Sequence, residues 1–175
     1  MPPEAGTPDD PGRHHHRHPG DGWVECHQGH RHWGLHGAAG LLLARRAHDG
    51  ELDAVVLQHR ALWSDQGGTW GFPGGALAPG ESAQDGALRE AAEEAGVQAV
   101  AVRVLDSKVL LDHGNWTYTT VLGEALSVFE PAATDAESLE VVWVPLDDVE
   151  GLDLLPAFRE AWKNELLPYL KGVRP

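Results

Sequence analysis

The sequence predicts an α/β fold, built as one domain behind a polar tail. Three observations predict it. Short apolar runs of strand length recur along the chain, two stretches repeat apolar residues at helical spacing, and a segment dense in glycine and proline precedes the first of those helices. At 175 residues the chain has room for one domain and a tail. With 42% hydrophobic residues it can bury a core without help from a metal or a disulfide.

The tail comes first. Met1 to Gly22 holds Pro2, Pro3, Pro8, Pro11 and Pro19 and almost nothing apolar, so residues 1–22 are expected to form a disordered His/Pro-rich leader. Its tract of His14, His15, His16 and His18, interrupted by Arg17, reads as solvated, with only adventitious metal binding. Residues 23–33, WVECHQGHRHW, are expected to be a hairpin or linker. Cys26, His27, His30 and His32 are zinc-type ligands, but structural zinc normally draws on two separated pairs, and no second pair is evident. Histidines on a solvated hairpin are therefore the expectation, and the domain proper is expected over residues 34–172.

Within that domain Leu35 to Arg46 is an apolar run closed by the turn residues His48, Asp49 and Gly50. Ala54 to Leu57 is a second run, ending in Gln58, His59 and Arg60, and both read as buried strands. Ser64 to Gly80 carries Gly67, Gly68, Gly71, Gly74, Gly75, Pro73 and Pro79 and is expected to be loop. Ser82 followed by Asp85 opens a helix in the manner of a capping box, and Gly96 stops it. Between them Ala87, Leu88, Ala91, Ala92 and Ala95 form a small-residue stripe, which implies close packing on a sheet. Val100 to Leu111, Trp116 to Leu126 and Val141 to Val144 read as strands. Pro156 to Leu170 is an amphipathic closing helix with Phe158, Trp162, Leu166 and Leu170 on its core face.

Composition excludes several functions. Cys26 is the single cysteine, so no disulfide scaffold is possible, and a lone thiol fits a reducing, cytoplasmic setting. The apolar run from Ala38 to Ala44 is too short to span a bilayer, and no signal peptide is visible. The formal net charge of −14 repels phosphate backbones and anionic lipids, so neither nucleic acid nor a membrane is an expected partner. An anionic small-molecule substrate would need bound divalent cations to neutralise the contact.

The chemistry concentrates in Gly75 to Val97, GALAPGESAQDGALREAAEEAGV. On a helix Glu90, Glu93 and Glu94 share one face, and alone they would read as a solvated acidic surface. The Pro73-Gly74-Gly75 turn changes that reading, because a backbone with so little side-chain bulk can approach a ligand and offer a carbonyl oxygen. Carboxylates plus a carbonyl make an oxygen-rich site of the kind that Mg²⁺ or Mn²⁺ prefers, and such ions bridge phosphate oxygens.

The same stretch matches the Nudix box, Gly-x5-Glu-x7-Arg-Glu-U-x-Glu-Glu-x-Gly-U with U aliphatic. Gly75, Glu81, Arg89, Glu90, Glu93, Glu94, Gly96 and Val97 occupy its fixed positions, with Ala91 at the first aliphatic one. The chain thus resembles Nudix hydrolases from about Gly34 onward. The resemblance implies the Nudix fold, a mixed β-sheet sandwiched between α-helices, and hydrolysis of a nucleoside diphosphate linked to another moiety. It implies a metal-bound Gly75 carbonyl and Glu90, Glu93 and Glu94 as carboxylate ligands of Mg²⁺ or Mn²⁺. Glu90 or Glu94 would act on the attacking water, Arg89 would orient the glutamates, and Glu81 would stabilise the loop–helix junction.

Flanking residues extend the resemblance. In MutT-type members an arginine at the end of the strand before the box contacts substrate phosphate, and Arg60 falls there. Phe72 and Trp70 are candidates for stacking on a base, with core packing the alternative. Glu137 and Glu140 are candidates for one further carboxylate. ADP-ribose-type members carry a proline downstream of the box and dinucleoside-polyphosphate members a tyrosine. Here Asp112, His113 and Asn115 occupy that neighbourhood and Tyr118 comes late. The expectation is a MutT-like enzyme cleaving a nucleoside triphosphate, oxidised ones included, to monophosphate and pyrophosphate. An ADP-ribose or nucleotide-sugar pyrophosphatase is the second reading, and a non-catalytic nucleotide sensor the third.

Overall fold

Leu41 and Leu43 point to one side of a strand, Leu42 and Ala44 to the other, and the layering of the molecule follows from that alternation. The computed structural model describes residues 18–172, so most of the expected leader lies outside the described residues. Residues 18–22, counted with the leader on composition, pack onto the domain: the carbonyls of Gly20 and Gly22 accept from the N–H groups of Leu35 and Gly34.

A hairpin of β1 (Trp23–Glu25) and β2 (Arg31–Trp33) stands apart as a two-stranded sheet. The main sheet comprises β3 (Ala38–Arg46), β4 (Leu52–Arg60), β5 (Trp70–Gly71), β6 (Gly74–Ala76), β7 (Val102–Asp112), β8 (Thr117–Ala125) and β9 (Ser138–Pro145). Its order is β5-β4-β3-β8-β7, with β6 on β3 and β9 on β4. β3 and β8 run parallel and the other pairs antiparallel, so the sheet is mixed.

Helix α1 (Ala83–Ala95) covers one face, where Ala87, Ala91 and Ala95 pack on Ala39, Leu41, Leu43 and Val121. The opposite face carries α2 (Pro156–Ala161) and α3 (Leu167–Gly172), with Phe158, Trp162, Leu166 and Leu170 set against Leu42, Val55, Leu57 and Leu122. This is the expected α/β/α sandwich. Among the described residues no helix is long and apolar enough to cross a membrane.

Three local departures from the sequence reading have physical causes. β4 outruns its apolar core because Gln58, His59 and Arg60 continue the ladder on β9, and pairing does not require apolar side chains. The glycine-rich segment contains β5 and β6 rather than loop throughout. At Gly74 a Cβ would lie 2.6 Å from both Ala39 O and Gly40 Cα, so only glycine lets β6 approach β3 this closely. The closing helix is interrupted by a π turn at Trp162–Leu166, where Leu167 N–H reaches back to Trp162 O. Pro168 lacks an N–H and its ring crowds the carbonyl four residues earlier, which accounts for the bulge.

The α1 stripe leaves no room for growth. Ala91→Leu, fully buried against the sheet, should cost about 1–3 kcal/mol in denaturant unfolding, and Ala92→Leu, only partly buried, clearly less.

Candidate active site

Local sequence sets the frame of α1. The Ser82 hydroxyl accepts from Asp85 N–H at 3.1 Å, and Gly96 ends the helix in the left-handed region at φ 66°. The face shared by the glutamates turns along the sheet edge, so burial divides them: Glu90 and Glu94 are 8% and 4% exposed, while Glu93 is open to solvent.

Arg89 organises the carboxylates. Its Nε and Nη2 donate to the two oxygens of Glu81 at 2.8 and 2.9 Å, its Nη1 donates to Glu90 Oε1 at 2.7 Å, and Nη2 also donates to Ala76 O at 2.9 Å. Glu81 Oε2 accepts from Ala78 N–H at 2.9 Å. One guanidinium thereby joins β6, the loop–helix junction and the helix itself. The bidentate bond to Arg89 holds Glu81 below the ordinary carboxylate range and raises Arg89 further above neutrality.

Two glycines bring the backbone to these acids. At Gly75 a Cβ would meet Glu90 Cδ at 2.6 Å and both carboxylate oxygens at 2.8 Å, so the glutamate sits directly against the bare backbone. Gly74 N–H donates to Glu94 Oε2 at 3.0 Å. A further arm comes from the segment before β9. Thr134 N–H and Ala132 N–H cap the α1 carbonyls of Glu94 and Ala95, and Glu137 O accepts from Ala61 N–H. These bonds bring Asp135 and Glu137 to Glu94, with carboxylate oxygens of all three within 4.8 Å of one another.

Arg60, at the end of β4, lines the same cleft as Gly74, Gly75, Glu90, Glu93, Glu94 and Glu137, and its Nε donates to Asp65 O at 3.1 Å. Burial, and then the charges of Glu90, Glu137 and Asp135, push the Glu94 carboxyl well above its usual range. Burial likewise raises Glu90, opposed by its bond to Arg89. The carboxylate oxygens, with bare backbone at Gly74 and Gly75, make an all-oxygen donor set that fits a hard divalent cation.

Other candidates lie elsewhere. Phe72 is 6% exposed and packs edge-on against Phe158 at 5.2 Å, inside the core rather than in the cleft. Trp70 stacks on His59 at 4.6 Å, and Glu140 stands beside His59, 3.8 Å from Nδ1. The sequence reading passed over His18, Asp21, Trp33 and Asp65, which also line the cleft, and Asp135 beside it. Asp135 carried a faint signal as an acid two residues before Glu137. His18, whose Nε2 lies 3.7 Å from Glu90 Oε1, carried none.

The crowding has a thermal signature. The raised Glu94 carboxyl favours the folded state most below its ordinary value of 4.5, and that contribution is lost as pH rises through the folded value. Glu94→Gln keeps an acceptor for Gly74 N–H without the charge. In chelator, its melting temperature should match wild type near pH 4 and exceed it increasingly towards about pH 8. A gap that does not change with pH would contradict the assignment.

Comparison with known proteins identifies the family. A family model for the NUDIX domain matches residues 34–170. A nucleoside triphosphate pyrophosphatase/Nudix hydrolase fusion protein of Bifidobacterium longum is 52% identical over 82% of this chain, which spans 30% of that protein's length. The "Putative 8-oxo-dGTP diphosphatase 3" of Mycobacterium tuberculosis is 45% identical over 83% of the chain and 68% of its own length. Among solved structures, the Nudix hydrolase RenU from M. smegmatis superposes with a TM-score of 0.79 at 40% identity, covering 89% of this chain and 100% of that one. With Gly75, Glu90, Glu93 and Glu94 of its box at one cleft and its matches to the family running through most of its length, this chain belongs to the MutT-like Nudix hydrolases.

Proposed function

We propose that the chain hydrolyses nucleoside triphosphates, oxidised purine nucleotides included, to the monophosphate and pyrophosphate in a reaction dependent on Mg²⁺ or Mn²⁺. The observation that carries this reading is the cleft lined together by Arg60, the Gly74–Gly75 backbone and the Glu90, Glu93, Glu94 and Glu137 carboxylates. The relative named for 8-oxo-dGTP supports the substrate class. Under the same reading the activity is cytoplasmic, which the single thiol of Cys26 supports.

A divalent cation held by the Gly75 carbonyl and by Glu90, Glu93 and Glu94 would neutralise phosphate oxygens and lower the barrier to attack on phosphorus. Without that neutralisation a chain of net charge −14 repels a polyphosphate. Arg60, fixed through Asp65 O, binds a phosphate of the substrate. Glu90 is already committed to Arg89, whereas Glu94 receives one backbone N–H, so the proton of the attacking water passes to Glu94. Water adds to phosphorus, the internal phosphoanhydride bond breaks, and its electron pair leaves with pyrophosphate. With Phe72 in the core, base stacking falls to Trp33, the aromatic side chain that lines the cleft.

Two measurements test the reading. With Mg²⁺ or Mn²⁺ present, ³¹P detection should show monophosphate and pyrophosphate. Diphosphate with orthophosphate would overturn the bond assignment, cleavage of ADP-ribose or sugar nucleotides alone would overturn the substrate, and nucleotide binding without turnover would make the protein a sensor. Glu94→Gln should lower kcat by roughly 10²-fold or more, whereas Arg60→Ala should act mainly on KM.

A further inference from the structure

The hairpin of β1 and β2 makes no ladder with the main sheet, and a two-stranded hairpin is at best marginally stable alone. It is fastened at one corner. Asn115, in the turn between β7 and β8, accepts from His27 N–H at 2.9 Å and donates from Nδ2 to Glu25 O at 3.0 Å. That turn also delivers His113 to Cys26, 87 residues away in sequence.

Cys26, His30, His32 and His113 each present one ligand atom, and all four atoms lie within 4.8 Å of one another. Cys26 Sγ is 3.6 Å from His113 Nδ1, which is 2.9 Å from His32 Nε2. A tetrahedral zinc ion sets sulfur and nitrogen ligands about 3.6 Å apart and two nitrogens about 3.4 Å apart. Cys26 is 4% exposed, and the His32 ring is held flat on Trp116 at 4.0 Å, so two of the ligands are fixed by packing. His30 is exposed and free to close the remaining distance. No further ligand is legible near the hairpin because His113 lies far downstream, where no local spacing shows it.

We propose that Cys26, His30, His32 and His113 form a zinc site, separate from the active-site cleft, that staples the β1–β2 hairpin to the β7–β8 turn. A thiolate with three imidazoles suits a borderline-soft ion of tetrahedral preference, unlike the all-oxygen donors of the cleft. Binding takes the Cys26 thiol as thiolate and the histidines as neutral rings, with their protons released to solvent. The hairpin carries Trp33 into the substrate cleft, so the staple also steadies one wall of that cleft.

The test uses the full chain, stripped with chelator and titrated with Zn²⁺ and with Co²⁺ as a spectroscopic substitute. Cys26 is the single cysteine, so a thiolate-to-cobalt absorption band reports this site and not the histidine tract of the leader. One equivalent of Co²⁺ should give that band together with tetrahedral ligand-field absorption, and Zn²⁺ should displace both. Cys26→Ser should abolish the band and His113→Ala should weaken binding. His30→Ala, at the exposed member, should raise the Zn²⁺ Kd by roughly tenfold or more with unchanged circular dichroism. Zinc should also raise the melting temperature of wild type and not of Cys26→Ser. Absence of the thiolate band in folded wild type overturns the proposal. So does equal zinc stoichiometry and affinity in wild type and all three variants, as the leader tract alone would give.

Discussion

The arrangement of the candidate site depends on one guanidinium. Arg89 spends its fork on both oxygens of Glu81, on Glu90 and on Ala76 O, and in doing so ties β6, the loop–helix junction and α1 into a single unit. Without it Glu81 and Glu90 would lose the cation that bridges them. The bond to Glu90 also presses that carboxylate against Gly75, where any side chain would collide. The glycine and the arginine are thus two halves of the same constraint.

Around this clamp the fold accumulates negative charge. α1 supplies Glu90, Glu93 and Glu94, and the segment before β9 adds Asp135 and Glu137, held there by hydrogen bonds to the last α1 carbonyls. Such crowding costs stability in the metal-free protein, and burial raises it further by withdrawing water from Glu94. The alanine stripe behind α1 is what allows the arrangement to persist, because Ala87, Ala91 and Ala95 seat the helix closely on β3 and β8 and hold the acids at the sheet edge. Packing along the alanine stripe sustains the crowding of Glu90 and Glu94 beside it.

What could be read from sequence was what is local. The cap at Ser82, the stop at Gly96, the stripe between them and the spacing of the glutamates all lie within one helix, and the closing helix announced its core face through Phe158, Trp162, Leu166 and Leu170. β5 and β6 were illegible because their pairing is set by partner backbones, and glycine marks a close approach and a loop alike. Phe72 shows the same ambiguity for side chains: an aromatic beside a glycine turn can face a ligand or the core, and Phe158 decides it. Asp135, His18 and the pairing of Cys26 with His113 needed the chain to be folded, since no short-range pattern connects them to the residues they meet.

Under the proposed function Arg89 organises the cleft for a divalent cation through the geometry of its fork and not through its charge alone. Calorimetric titration of Mn²⁺ into wild type and Arg89→Lys tests it directly, because lysine keeps the charge and loses the planar, bidentate donor set. The account predicts that Arg89→Lys binds Mn²⁺ roughly tenfold or more weakly while remaining folded. Equal affinity in the two proteins would contradict it.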